Sequence, residues 1–133
     1  MGYRIVKQAQ AWWPVEWDGV AEDGTIVTNR IEMRFRLLKV ADSAGIIRDA
    51  AQLREREQEA MKAGKETDLA ALYAELVERI ATDWRGVEAE NGEPLPWQAA
   101  NVALLMNEPG LFGHVVEAFR GCLSARPQIR AGN

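Results

Sequence analysis

The chain has 133 residues, of which 47% are hydrophobic and 27% charged, so its composition is that of one folded globular domain and not of a disordered or fibrous chain. Its net charge of -4 at pH 7 argues against a protein whose main partner is a nucleic acid, because nonspecific affinity for phosphate comes from clustered Lys and Arg. The single cysteine, the absence of a secretory signal pattern and the shortness of every apolar run exclude an internal disulfide and a membrane span, so we expect a cytoplasmic protein.

The first part of the chain has the pattern of β-strands. Residues 31–37 alternate between apolar and charged side chains, which is typical of a strand with one buried and one solvated face. Residues 12–17 are rich in tryptophan but contain Pro14, which cannot donate a hydrogen bond to a neighbouring strand, so we predict an edge strand there. Residues 3–7 are a further strand candidate.

Turns between these strands are predicted where glycine follows acidic residues. Residues 18–19 and 22–24 both have this composition, and glycine accepts a positive φ at low cost. The pattern therefore predicts a short antiparallel β region over about residues 3–38.

After residue 38 the periodicity becomes helical. Ser43 is a candidate N-cap for a helix over residues 43–62, which should be exposed beyond Leu53 because the residues that follow are mostly charged or small. A second helix, capped by residue 67 or 68, has apolar residues at i, i+3, i+4 and i+7 spacing, and we expect it to end near Asp83.

The C-terminal part contains a structured excursion followed by two helices. Residues 84–97 include the tight-turn pair Asn91-Gly92. Helices are predicted over residues 98–107 and 111–124, with a proline-glycine break between them.

These elements together predict an α+β fold in one domain over residues 1–133. The β region occupies residues 1–40 and a mainly helical part occupies residues 41–126. Residues 127–133 are expected to form a frayed tail.

No residue pattern supports catalysis. His114 is the single histidine, so a histidine-based metal cluster is absent from the sequence, and Cys122 has no motif that would make it a nucleophile. Nucleophile elbows and phosphate-binding glycine loops are also missing, and the repeated glutamates of residues 55–59 are typical of a solvated helix face. We predict a protein without enzymatic activity, cofactor or metal.

The tryptophans allow two interpretations. Aromatic residues within 12–17, beside Arg34 and Arg36, could stack on single-stranded nucleic acid, but core packing with a polar strand face is the favoured explanation. Trp84 and Trp97 bracket the Asn91-Gly92 turn, and we expect both to stabilise the fold by burying large aromatic surfaces.

Partner contacts are predicted on the helices after residue 43. A protein that binds a helical partner needs exposed apolar surface flanked by charges that keep it soluble. The candidate residues are Leu53, Met61, Leu69 and Tyr73, each of which also fits a core position. An incompletely buried helix and an edge strand are compatible with self-association.

Two short sequence motifs lie close together at the end of the second predicted helix and after it. Their residues are Asp83, Trp84, Gly86, Gly92, Pro94, Pro96 and Trp97. With the helices around them, these residues make the segment 80–119 resemble the tail assembly chaperones of long-tailed bacteriophages and prophages. The tryptophan-proline-valine step at residues 13–15 and the strand at 33–36 are similar in style to the N-terminal part of that family.

The resemblance implies a role without chemistry. Such proteins bind the long, largely helical tape measure protein in the host cytoplasm, keep it soluble, help bring it together with tail tube subunits and are absent from the mature virion. A ribosomal frameshift often produces a longer form that contacts the tail tube protein; the protein sequence leaves this open. The alternatives are a minor tail or head-tail connector component, which would stay in the particle, and a single-stranded nucleic-acid-binding module.

Overall fold

A three-stranded antiparallel sheet and four helices make up the residues that the computed structural model describes, which are 2–5, 9–66 and 68–125. The elements in chain order are β1 (Gln10–Val20), β2 (Ile26–Arg36), α1 (Val40–Lys62), α2 (Ala70–Ile80), β3 (Ala81–Arg85), α3 (Ala99–Met106) and α4 (Leu111–Ser124). The sheet order is β1-β2-β3. The predicted α+β fold is confirmed, although one strand of the sheet comes from the part of the chain that was predicted to be helical.

The β1–β2 hairpin has one apolar face and one polar face. Its register pairs Val15 with Ile31 and Trp13 with Met33. Val15 and Met33 are fully buried, whereas the residues that alternate with them along both strands lie on the opposite face. The alternating pattern of residues 31–37 therefore predicted the strand and its buried side correctly.

The free edge of β1 contains its proline. Hydrogen bonds from the Leu37 N–H to the Ala9 carbonyl and from the Ala21 N–H to the Thr25 carbonyl, both 2.8 Å, continue the β1–β2 register at its two ends. Odd-numbered residues of β1 therefore bond to β2, and even-numbered residues direct their backbone groups to the edge. Pro14 occupies an even position, so its missing N–H removes no hydrogen bond from the sheet. The predicted edge strand is confirmed.

Of the two turns predicted between β1 and β2, only the second is the hairpin turn. Residues 18–19 do not turn, because β1 continues to Val20 and Gly19 accommodates the side chain of Asn29, whose Nδ2 would lie 2.8 Å from a Cβ at that position. The predicted turn at residues 22–24 is present, with Gly24 at φ 86°. There the hydroxyl and N–H of Thr25 donate to the Asp23 carboxylate at 2.6 and 3.0 Å, which lowers the pKa of that carboxyl.

Helix α1 begins earlier than predicted. Its N-cap is Lys39 and not Ser43, whose hydroxyl instead donates to the Val40 carbonyl inside the first turn at 3.1 Å. The buried residues of α1 are Ile46 and Ala50, so its second half is mostly exposed, as the charge-rich sequence indicated.

Helix α2 ends at Ile80, three residues before the predicted end, and the chain enters β3 without a loop. In β3, Trp84 pairs with Met33 and Asp83 pairs with Arg34. Because β2 offers a row of unpaired backbone groups on its second edge, pairing with it satisfies the backbone of residues 81–85 better than a further helical turn would.

The buried side chains form one core cluster between the sheet and the helices. Helix α4, whose bounds match the prediction, places Phe119 against Phe35 of β2 with ring centroids 5.8 Å apart. Cys122 is 1% exposed on the same side of α4, whereas His114 is exposed on its surface. Both residues were predicted to be structural, and their positions agree with that interpretation.

Some predictions fall outside the described residues. Residues 2–5 form no strand, and the remainder of the strand candidate at 3–7, the possible cap at residue 67 and the tail 127–133 are not described. Within the described parts of the chain, none of the helices is long and apolar enough to cross a bilayer.

Candidate partner-binding groove

A groove of about 500 Å³ lies between the second half of α1, the start of α2 and the turn from α3 to α4. We call it the helical groove. Its apolar lining comprises Met61, Leu69, Ala70, Tyr73, Met106, Pro109 and Phe112, and its charged rim comprises Arg54, Glu57 and Glu108. Its size is within the range of roughly 300–1,000 Å³ that is usual for binding sites in proteins.

The floor of the helical groove is apolar. The rings of Tyr73 and Phe112 stack with centroids 4.0 Å apart and planes 7° from parallel, which joins α2 to α4. Leu69 and Met106 are 5% and 2% exposed beside them. The floor of the groove therefore consists of core side chains that are almost fully buried.

One wall of the groove is formed by an exposed side chain that can adopt several conformations. Met61, near the end of α1, is 72% exposed even though it is a large apolar side chain. Methionine has three rotatable bonds and a polarisable sulfur, and it is common on surfaces that adapt to different partners. The groove thus combines a fixed floor with one adaptable side chain.

Polar contacts hold α1 over the groove. The Tyr73 hydroxyl donates a hydrogen bond to the Glu57 carboxylate. Burial of the Tyr73 ring, together with this hydrogen bond and the negative charge of Glu57, raises the pKa of the tyrosine hydroxyl well above its usual range. The Arg54 guanidinium lies over the first turn of α4, where a Cβ at Gly113 would be 3.4 Å from its Cζ. The Arg54 side chain therefore connects α1 to the start of α4 beside the groove.

The helical groove brings together three of the four apolar residues that were predicted to bind a partner, namely Met61, Leu69 and Tyr73. Leu69 and Tyr73 are each 5% exposed and belong to the core cluster, so their alternative interpretation as core residues agrees with their positions, whereas Met61 is exposed. Leu53 is separate from them. It lines a depression of about 250 Å³ between α1 and α2, beside the Asp49–Arg79 ion pair of 3.2 Å. Leu53 packs against the core cluster, so its alternative interpretation as a core residue agrees with its position.

Arg34 and Arg36 belong to the solvated face of the sheet and not to the groove. On that face the Arg85 guanidinium lies 3.7 Å from the centroid of the Trp12 ring and covers it. Trp13 and Trp17 point the other way and pack against the core. Three tryptophans that lie close in sequence are thus divided between two faces, which does not favour a platform for stacking bases.

Carboxylates pair with two of the arginines of this face. Arg30 contacts Glu16 at 3.0 Å and Arg85 contacts Glu32 at 3.6 Å. A surface in which acidic and basic groups are paired lacks the concentrated positive charge that binds phosphate.

The tryptophans of the recognised motif fix the segment after β3. The Trp84 indole N–H donates to the Leu95 carbonyl at 2.7 Å, and the Trp84 and Trp97 rings meet edge to face with centroids 5.0 Å apart. The Asn101 side chain donates to the Pro96 carbonyl at 2.9 Å and joins the start of α3 to the same segment. These contacts agree with the prediction that both tryptophans stabilise the fold.

The other residues of the motif shape the backbone of this segment. Gly86 and Gly92 have φ values of 89° and 84°, which L side chains rarely adopt. Pro94 forms a bridge with Glu88, so the segment is a small hairpin closed at Gly92. Asp83 accepts a hydrogen bond of 2.8 Å from the Trp84 N–H. The motif thus builds the connection from the sheet to α3.

Residues on the α3–α4 side of the groove were missed by the sequence analysis. Met106 and Phe112 follow the apolar patterns of their helices and carry no signal of their own. The signal that could have found them is the Pro109-Gly110 break, because two apolar helices that meet at a tight turn present side chains to the same side.

Comparison with protein-family models, curated proteins and solved structures finds no match for this chain. Within the described residues, no three His, Cys, Asp or Glu side chains are grouped so that they could hold a metal ion. The helical groove and the motif of residues 83–97 are therefore the features of the molecule that bear on its function.

Proposed function

We propose that this protein is a phage or prophage tail assembly chaperone that binds the tape measure protein through the helical groove and acts without catalysis. The observation that carries the proposal is the convergence of Met61, Leu69 and Tyr73, selected from the sequence as partner contacts, on one groove. The motif of residues 83–97, on which the resemblance rests, supplies the second support.

The chemistry of the groove suits a helical partner. Amphipathic helices bind grooves by inserting apolar side chains spaced at i, i+3, i+4 and i+7. Met61, which is 72% exposed, offers an accessible apolar contact for such side chains beside the nearly buried rings of Tyr73 and Phe112. Arg54, Glu57 and Glu108 on the rim can pair with the polar flanks of the helix. A long protein with many exposed amphipathic helices would be kept soluble in this way.

The exposed second half of α1 suits a chaperone that must itself stay soluble. Residues 54–59 carry five charged side chains in a row of six, and their exposure surrounds the apolar lining with charge. The protein would work in the host cytoplasm, would be released when the tail is complete, and a longer frameshifted form would contact the tail tube protein.

Co-expression with the tape measure protein of the same phage or prophage tests the proposal. The wild-type chain should make that partner soluble and should co-purify with it. Met61→Glu should reduce the amount of soluble partner recovered by about tenfold or more, because a carboxylate would have to enter an apolar contact. At 72% exposure, Met61 can be changed with little effect on folding.

Leu104→Glu is the matched control. Leu104 is also a large exposed apolar residue, at 63%, but it does not line the helical groove. If both variants lose the partner equally, or both retain it, the groove is not the binding surface. If the wild-type chain leaves the partner insoluble, and mass spectrometry finds the protein in purified virions, it is a structural component of the particle instead.

A further inference from the structure

The small hairpin after β3 contains the pair Asn91-Gly92 at its tip. Residues 90–93 are exposed, and a Cβ at Gly92 would meet no atom of the described residues within 4 Å, so the pair is open to water. The backbone nitrogen of a residue can attack the side-chain carbonyl carbon of an asparagine that precedes it. Glycine favours this attack most, because it has no side chain to hinder the approach.

Asn91 is the one asparagine of the sequence that glycine follows. Three others, at positions 29, 101 and 107, precede arginine, valine and glutamate, and Asn133 is the last residue given. Asn107 is exposed in the turn from α3 to α4, as Asn91 is exposed in its own turn. Asn107 therefore serves as a matched reference within the same chain.

Hydrogen bonds hold the Asn91-Gly92 pair in the folded chain. The Gly92 N–H donates to the Ala89 carbonyl at 2.9 Å, and the Glu93 N–H donates to the Asn91 side-chain Oδ1 at 3.0 Å. The first bond engages the nitrogen that would attack, and this nitrogen reacts only after it loses its proton. The second bond restricts rotation of the side chain that would be attacked. The closed turn should therefore slow the reaction.

We infer that Asn91 is a modification site at which the side-chain amide is converted to an acid, and that the closed turn holds this reaction back in the folded protein. The Gly92 nitrogen loses its proton and bonds to Cγ of Asn91. The Cγ–Nδ2 bond breaks, and Nδ2 takes up the proton and leaves as ammonia. Water then opens the resulting succinimide ring at either carbonyl, which yields aspartate or isoaspartate. The step needs no reactant other than water.

Both products disturb the turn. Either one places a new carboxylate beside the exposed side chains of Glu90 and Glu93, where like charges repel one another. Isoaspartate also adds a methylene group to the backbone, which moves the Gly92 N–H away from the Ala89 carbonyl. The hairpin within the motif of residues 83–97 should therefore open more readily after the modification. None of these groups lines the helical groove, so the reaction is independent of the proposed partner binding.

Peptide mapping by mass spectrometry tests the site on the full chain, incubated in mildly alkaline buffer with and without urea. In urea, Asn91 should convert several times faster than Asn107, because both are then unfolded and differ in the residue that follows. Without urea, conversion of Asn91 should be roughly tenfold slower, because the Gly92–Ala89 hydrogen bond must open first. The mass change of an amide that becomes an acid separates Asn91 from the Asp-Gly pairs at 18–19 and 23–24, whose isomerisation leaves the mass unchanged.

Gly92→Ala tests the route of the reaction. Measured in urea, where its effect on folding plays no part, this variant should convert Asn91 about as slowly as Asn107. Gly110→Ala is the matched control, because it makes the same replacement in a turn where no asparagine precedes the glycine. Equal rates for Asn91 and Asn107 in urea, or an unchanged rate in Gly92→Ala, would overturn the site. Equal rates for Asn91 in urea and in a chain that circular dichroism shows to be folded would overturn the protection by the turn.

Discussion

Replacing Trp84 with phenylalanine should destabilise the fold through one identifiable contact. The indole N–H donates to the Leu95 carbonyl at 2.7 Å, and the side chain is 6% exposed. Loss of a buried donor leaves its acceptor unsatisfied at a cost of about 1–3 kcal/mol. The smaller ring also leaves space beside Trp97, whose edge-to-face contact contributes roughly 0.5–1.5 kcal/mol. We expect the free energy of unfolding to fall by about 2–3 kcal/mol, allowing for partial retention of the ring contact.

Urea and thermal unfolding followed by circular dichroism measure this loss. For a chain of this length a change of 1 kcal/mol moves Tm by roughly 3–4 °C, so Trp84→Phe should lower Tm by about 6–12 °C. Trp12→Phe is the matched control: it makes the same replacement on the solvated face, where the Arg85–Trp12 contact contributes only about 0.5–1 kcal/mol.

The two variants together show whether the motif of residues 83–97 stabilises the fold. If Trp84→Phe costs no more than Trp12→Phe, the hydrogen bond to Leu95 does not anchor the segment after β3, and the structural role that we assign to the motif is wrong. If Trp84→Phe lowers Tm as expected but still binds its partner while folded, the motif acts through the fold.

Two further predictions concern pH and the backbone. The folded state raises the pKa of Tyr73, so the tyrosine ionises more readily in the unfolded chain. The stability of the wild-type protein should therefore be constant below about pH 10, where the unfolded tyrosine begins to ionise, and should decline above it. Tyr73→Phe should show less of that alkaline decline in urea melts at pH 8–11. Gly86→Ala should lower stability by about 1–2 kcal/mol because its φ is 89°. Gly45→Ala, inside α1, should raise stability by about 0.5–1 kcal/mol, because the added Cβ would lie 3.9 Å from a flexible Arg48 nitrogen and meet nothing closer. Thermal melts in which both variants move Tm in the same direction would contradict this.

Local patterns predicted those elements whose neighbours are near in sequence. The alternation of residues 31–37 and the helical spacing of residues 111–124 both correspond to real elements, because the buried face of each is continuous along the chain. Residues 81–85 were assigned in part to a helix because the pattern of α2 runs into them. Their partner strand is β2, almost fifty residues earlier, and no local signal reports that pairing.

The groove could be predicted only in part for a similar reason. Met61, Leu69 and Tyr73 come from neighbouring helices, and apolar residues beside a charged helix indicated a contact surface. Met106 and Phe112 complete the groove from the other side of the α3–α4 turn, and only the three-dimensional packing brings them there. Leu53 has the same character in sequence as Met61, but its position on α1 turns it toward a different side.

The contact between β1 and α4 determines when the protein can fold during its synthesis. Among the described residues these are the first and last regular elements, and Phe119 of α4 covers part of the apolar face of the hairpin. At roughly 5–20 residues per second, about one hundred further residues take about 5–20 s to be translated. For that time the nascent hairpin carries uncovered apolar surface, and the core is completed only when α4 has been made. Chaperones that shield nascent chains therefore have a defined interval in which to act.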